Sequence, residues 1–490
     1  MRCLCFFRIY RNGYVMVCSR YCVGGNDVAN SFATSVGAKA LTLKQTIIIA
    51  SICEFSGAMI LGHKVTETIK GSIVKAEFFE DDPTLLMYGM MTVVIGCAIW
   101  LVVATLLSLP VSSTHTCIGG MLGMAIVGRG FRAIHWGMVI NVICSWLYTP
   151  LGAGIISFLL FILIRKTILL KEKSFDYSLN LFCPLIAFVL TLNFFVIFFG
   201  GCPWLPNFNW WLSLIVSFSL ACLIALIVYF TVIPTIRRRG IKAEEDAKLN
   251  EALISSPEEK PQSTETVVDV PTDATAPADT TAAPATPATP SKATDGQDVF
   301  AAVQNDETVA AIHEKAEHYD IKTEKVFIYL QVLAAILNSF AHGANDVSHS
   351  IGPLVACIEI YRTGTSQATT PTPAWILAFG ALGIVIGLAT MGYKVMATVG
   401  VNLVTVTPCR GFFIELAASL VVIVGSRCGL PLSTTQCKIG AAVGVGLVGG
   451  SDSVNWKLFG KIFSGWVITI IIAAIVSAIL MECGIFFFHF

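Results

Sequence analysis

The chain has 490 residues, 55% of them apolar and only 13% charged, with a mean hydropathy of +0.74. A water-soluble domain carries about 25% charged residues, so this composition excludes an ordinary soluble protein and points to one solvated by lipid. Basic and acidic residues balance at 32 each, which excludes the strongly basic surface of a nucleic-acid-binding protein.

In chain order, residues 1–23 form an atypical segment: Arg2, Arg8, Arg11 and Arg20 stand among aromatics, which suits neither a clean signal peptide nor a clean spanning helix. A bilayer-crossing helix needs about 20 mostly apolar residues. On that measure spans are predicted at 44–62, 86–109, 112–128, 138–164, 181–200 and 211–233, then at 325–341, 374–393, 412–427, 434–449 and 459–488. The N-terminal segment is a possible twelfth. The 112–128 and 434–449 segments are short and rich in Gly, Ser and Thr, and are expected to be broken or re-entrant helices. The cysteines lie mostly inside apolar runs, as at Cys97, Cys144, Cys222 and Cys483, and read as small packing residues.

Residues 237–323 are different material. Pro, Thr, Ala and Ser dominate 256–296, a composition expected to be disordered. Arg237, Arg238 and Arg239 directly follow a span and place this loop in the cytoplasm. A second basic cluster, Arg165, Lys166, Lys171 and Lys173, pulls its own loop to the same side, which requires 181–233 to be a hairpin of two crossings. The expected division is therefore 1–23 atypical segment, 24–170 first transport repeat, 171–236 connecting membrane helices, 237–323 cytoplasmic loop and 324–490 second transport repeat.

Two phrases occur twice. Asn26-Asp27-Val28-Ala29-Asn30-Ser31 returns as Asn345-Asp346-Val347-Ser348-His349-Ser350, and Leu109-Pro110-Val111-Ser112-Ser113-Thr114 returns as Leu430-Pro431-Leu432-Ser433-Thr434-Thr435. They recur almost in phase, which means two copies of one structural unit. Counting six crossings between Leu43 and Ile236, and one after Lys325, puts the two Asn-Asp motifs on opposite sides, so the repeats are expected to be inverted. The fold class is thus an all-α polytopic membrane protein of about 11–12 transmembrane segments in two inverted repeats.

Carboxylates in such apolar surroundings are costly and mark function. Asp27 and Asp346 offer hard oxygens, and Asn26 and Asn345 add neutral ones, a set suited to a monovalent cation such as sodium. The alternative is that each aspartate caps the next helix. Ser112, Ser113 and Thr114, with Ser433, Thr434 and Thr435, stand at the predicted start of a short helix. There free N–H groups and the positive dipole end suit an oxyanion such as phosphate; the alternative is again simple capping. Glu54 and Glu415 lie within apolar runs and are expected to face a polar cavity, bind a cation or titrate, the alternative being an ion pair with Lys64 or Lys394. His115 and His342 read as structural histidines.

These residues resemble the inorganic phosphate transporter family, whose animal and fungal members are sodium–phosphate symporters. The resemblance rests on Gly25-Asn26-Asp27-Val28-Ala29-Asn30, Gly343-Ala344-Asn345-Asp346-Val347, Pro110–His115 and Pro431–Gln436, and spans 24–236 and 325–490. It implies an all-helical dimer of inverted repeats working by an elevator-like alternating-access motion in the plasma membrane, with no cofactor beyond the coupling sodium ions. It also implies that the Asn-Asp pairs help form sodium sites, that the Ser-Thr phrases contact phosphate, and that Glu54 and Glu415 are the family's functional glutamates. The chain departs from the family at residues 1–23, at Gly25 for Ala and at Gln436 for His. Sodium coupling is physically sensible, because moving one charge against 100 mV costs about 2.3 kcal/mol and phosphate is an anion entering a negative interior. The competing expectations are proton coupling through Glu54 or Glu415, and a transport-inactive phosphate sensor. No nucleophile–base phrase suggests an enzyme.

Overall fold

A computed structural model of the chain describes residues 23–200, 208–239, 307–367, 372–392, 395–396, 398–427, 430 and 432–488. The atypical segment up to residue 22, residues 240–306 of the expected loop, Lys394 and Pro431 lie outside the described residues.

Helices begin where the sequence supplies caps. A π-type turn at Gly24–Val28 leads into α1 (Ala29–Gly37). Helix α2 (Leu43–Ser72) starts with a capping box: the Thr42 hydroxyl accepts from the Gln45 amide at 3.3 Å, and the Gln45 side chain accepts from the Thr42 amide at 3.0 Å. Helix α3 (Pro83–Leu106) opens with Asp82 accepting from the amides of Thr84 and Leu85, both at 3.1 Å, and with Pro83 in the first turn. Then come α4 (Ser113–Arg129), α5 (Trp136–Ile164), α6 (Ser174–Gly200) and α7 (Trp210–Thr231). The second half holds α8 (Glu307–Glu314), α9 (Ile321–Thr363), α10 (Ala374–Met391), α11 (Pro408–Arg427), α12 (Thr434–Leu447) and α13 (Trp456–Phe488).

Nine of the described helices are long and apolar enough to cross a membrane, and the protein is a multi-pass, all-helical membrane protein. The two expected short segments are short: α4 has 17 residues and α12 has 14. Each is followed by a glycine at positive φ, Gly130 at 79° and Gly450 at 104°, where a side chain would strain the turn. Helices α6 and α7 are separate and pack on each other, as the two basic clusters require. Among the described residues only five long helices lie between Leu43 and Arg239, because the sixth predicted crossing is the short α4. The count that put the first motif on the cytoplasmic side therefore does not stand on long helices alone.

The second motif departs from the predicted pattern. The span expected at 325–341 is part of one helix of 43 residues, α9, which runs straight through Asn345-Asp346 with Pro353 inside it. Packing against α2 and α11 supports this helix where local propensity does not.

The two halves repeat the same details. Isolated backbone bridges join Val74 to Ile134 and Val404 to Val454. The indoles of Trp136 and Trp456 donate to the carbonyls of Phe131 at 3.0 Å and Ser451 at 2.9 Å. Each short helix packs on the long helix of the other half. Gly119 and Gly123 of α4 lie against the backbone of Ile470 and Ala474 on α13, while Gly440 and Gly444 of α12 lie against Pro150 and Gly154 on α5. A Cβ at any of these glycines would collide with backbone, so the close approach depends on small residues at four-residue spacing.

Candidate functional site

Ser112 and Ser433 hold extended backbone and cap α4 and α12, their hydroxyls accepting from the amides of His115 at 3.4 Å and Gln436 at 3.3 Å. These capping bonds use the two serine oxygens as acceptors and leave each hydroxyl proton to donate. The threonines do something else. Thr114 donates to the carbonyl of Leu432 at 3.2 Å, and Thr435 donates to the carbonyl of Val111 at 3.3 Å. Each hydroxyl thus bonds to the peptide just before the other helix's cap. This reciprocal pair brings the N-termini of α4 and α12 together, and with them two positive dipole ends. Ser112, Ser113, Thr114, Ser433 and Thr435 are buried, and Thr434 is half-buried.

The two asparagines fasten the entrances to these helices. Asn26 donates to the carbonyl of Leu109 at 2.9 Å and to the Thr105 hydroxyl at 3.1 Å, and accepts from the Val111 amide at 3.0 Å. Asn345 donates to the carbonyl of Leu432 at 3.0 Å and to Asp346 Oδ1 at 2.9 Å. Backbone on the way into a short buried helix lacks helical partners, and side-chain amides supply them.

The aspartates lie beside the neighbouring threonines of α12. Asp27 Oδ1, at 3.4 Å, shares the Thr435 hydroxyl proton with the Val111 carbonyl, while Asp27 Oδ2 is buried with no hydrogen-bond partner among the described residues. Asp346 Oδ2 accepts from Thr434 at 2.7 Å. Asp346 is in the middle of α9, so helix capping does not explain it. His342 bridges two carboxylates: its Nδ1 is 2.9 Å from Glu54 Oε2 and its Nε2 is 2.7 Å from Asp346 Oδ2. Ser339 donates to the other oxygen of Glu54 at 2.9 Å, and His349 Nε2 lies 3.7 Å from Asp346 Oδ1. His115 packs its ring on Trp146 at 4.8 Å between centroids.

Glu415 sits elsewhere, with its own partners. Its Oε1 accepts from the Thr34 hydroxyl and pairs with the Lys438 ammonium, and its Oε2 accepts from Asn338 at 2.8 Å. Lys438 also donates to the carbonyl of Ser31 at 3.4 Å. The expected alternative, ion pairs with Lys64 or Lys394, falls on side chains outside the described residues. Glu54 meets His342 and Glu415 meets Lys438.

The structure therefore joins Asn26, Asp27, Asn345, Asp346 and both Ser-Thr phrases in one buried cluster, with Glu54 attached through His342. Glu415 is connected through Lys438, one helical turn beyond Thr434 on α12. Sequence reasoning missed Lys438, Thr34, Asn338 and Ser339. Lys438 had a readable signal, a lysine in the apolar run Gln436-Cys437-Lys438-Ile439-Gly440. Chemically, a buried aspartate with an open oxygen among neutral oxygens suits a small hard cation. Adjoining helix N-termini suit an anion.

The model of the phosphate transporter family matches residues 23–477. Sodium-dependent phosphate transporter 1-A of Danio rerio is 29% identical, covering 93% of this chain and 91% of its own length. The phosphate-repressible phosphate permease pho-4 of Neurospora crassa is 31% identical, covering 94% of each chain. A solved structure described as the sodium-dependent phosphate transporter superposes with a TM-score of 0.73 at 28% identity, covering 97% of this chain and 98% of that one.

Proposed function

This chain belongs to the phosphate transporter family, and we propose that it carries inorganic phosphate into the cell together with sodium ions. One observation carries this reading: the adjacent hydroxyls of Thr434 and Thr435 each bond to an aspartate, Asp346 from the second copy and Asp27 from the first. A cation at either aspartate and an anion at the helix N-termini would then share the same few residues, which is the arrangement that coupling needs.

Sodium binds at Asn26 and Asp27 and at Asn345 and Asp346. Phosphate binds at Ser112, Ser113, Thr114, Ser433, Thr434 and Thr435. The bare carboxylates repel phosphate, so sodium enters first and the filled sites then attract the anion. Glu54 and Glu415 tune the charge around this cluster. The two repeats are inverted and move as an elevator, in a homodimer of the plasma membrane whose central loop is cytoplasmic. Support for the repeats comes from the reciprocal packing of α4 on α13 and of α12 on α5.

Replacing the charge alone tests the sites. Asp27→Asn and Asp346→Asn are each expected to abolish sodium-driven phosphate uptake while leaving surface expression intact. Normal uptake by both variants would return the aspartates to a structural role. A second reading, proton coupling, is favoured by the row Glu54–His342–Asp346, three titratable groups in direct succession. Replacing sodium by choline under an imposed proton gradient separates the two.

A further inference from the structure

Glu415 is fully buried, and an isolated carboxylate there would be costly. Its neighbours answer that cost with a set of oxygens around a cation. The Lys438 ammonium lies against the Glu415 carboxylate and the carbonyl of Ser31, with the Thr34 hydroxyl bonded to the same carboxylate oxygen. Carboxylate and carbonyl oxygens from two helices, Glu415 on α11 and Ser31 on α1, with the Thr34 hydroxyl of α1 beside them, are what a hard monovalent cation takes as ligands. Here the cation is part of the chain. The corresponding residue of the first copy is Cys117, a buried cysteine in place of the lysine.

We propose that Lys438 is a tethered cation, its ammonium filling an oxygen-lined site at Glu415 that a sodium ion would otherwise enter from solution. The site therefore stays charge-neutral throughout the cycle and adds no ion to the coupling. It also ties α12, which carries Ser433 to Thr435, to α1, which follows the first Asn-Asp motif. The inference rests on the sodium-coupled reading above but is tested separately from it.

The purified full-length protein is compared with Lys438→Ala and Lys438→Met by thermal unfolding in sodium chloride and in choline chloride. Alanine empties the site, so its variant is expected to unfold early in choline and to regain most of the loss in sodium, a larger gain than the wild type shows. Methionine fills the space without charge, so its variant is expected to lack that extra gain. In proteoliposomes, the ratio of labelled sodium to labelled phosphate is expected to rise by one ion per phosphate in Lys438→Ala. The proposal is overturned if sodium gives Lys438→Ala no more stability than it gives the wild type, or if the flux ratio is unchanged. Failure of that variant to fold even in sodium overturns it equally, because sodium would then be unable to replace the ammonium. Wild-type uptake in sodium against choline reads the coupling ion itself, so failure of the sodium-coupled reading is recognised independently of Lys438.

Discussion

The two copies of the repeat share a scaffold and differ in chemistry. Short helix, serine cap, threonine bond, small-residue contact and indole bond recur in both halves with near-identical geometry. The charged groups do not. Asp27 Oδ2 is buried without a hydrogen-bond partner among the described residues, while Asp346 is surrounded by Asn345, Thr434, His342 and His349. Glu54 faces an imidazole and Glu415 faces a lysine. The recurring frame brings two helix N-termini together, and single residues give the two halves different charged partners.

The sharpest test of this difference is to neutralise each glutamate. Glu415→Gln leaves the Lys438 ammonium buried without its counter-charge, which is expected to destabilise the fold by about 3–5 kcal/mol. Glu54→Gln leaves His342 still paired with Asp346 at 2.7 Å, so the loss in thermal unfolding midpoint is expected to be clearly smaller. Equal losses would break the comparison.

The shared scaffold makes the opposite demand. Gly123→Ala and Gly444→Ala occupy corresponding contacts, against Ala474 and Gly154, and each Cβ meets a backbone carbonyl. Both are expected to cost about 1–3 kcal/mol, with unfolding midpoints lowered to a similar degree. Strongly unequal losses would show that the two short helices are not packed alike.

The smallest expected effect lies at the edge of the bundle. Glu317, just before α9, accepts from Arg165 at 2.7 and 3.1 Å and from Tyr319 at 2.8 Å. The bonds from Arg165 hold its carboxyl below the usual carboxylate range, with Tyr319 adding to the effect. A lowered folded value stabilises the protein above the unfolded value of about 4.3, and that contribution is lost as pH falls through the folded value. The difference in unfolding midpoint between the wild type and Glu317→Gln is therefore expected to be small at neutral pH and to vanish on acidification. A difference that grows in acid would contradict the assignment.

Much of this was legible before any coordinates. The duplicated phrases located Asn26, Asp27, Asn345, Asp346 and the two Ser-Thr helix starts, because a polar phrase in an apolar chain has few other reasons to exist. The short lengths of α4 and α12 followed from their Gly, Ser and Thr content. The continuity of α9 did not: the apolar run predicted a span ending at 341, and packing against α2 and α11 supports the helix on through Gly343 and Pro353. The partners of the glutamates were hidden for a geometric reason. Asn338 and Ser339 are consecutive on α9, yet they reach Glu415 and Glu54 respectively, a choice made by which helix packs on each face. Lys438 was legible as an oddity but not as a partner, because it meets Glu415 across a helix–helix contact.

The most direct test of sodium coupling is uptake of radiolabelled phosphate into proteoliposomes containing the purified protein. An inward sodium gradient is compared with choline and with an imposed proton gradient. Uptake in sodium, with none in choline whether or not protons are supplied, is the expected result. Uptake driven by protons in choline, with no requirement for sodium, would contradict it.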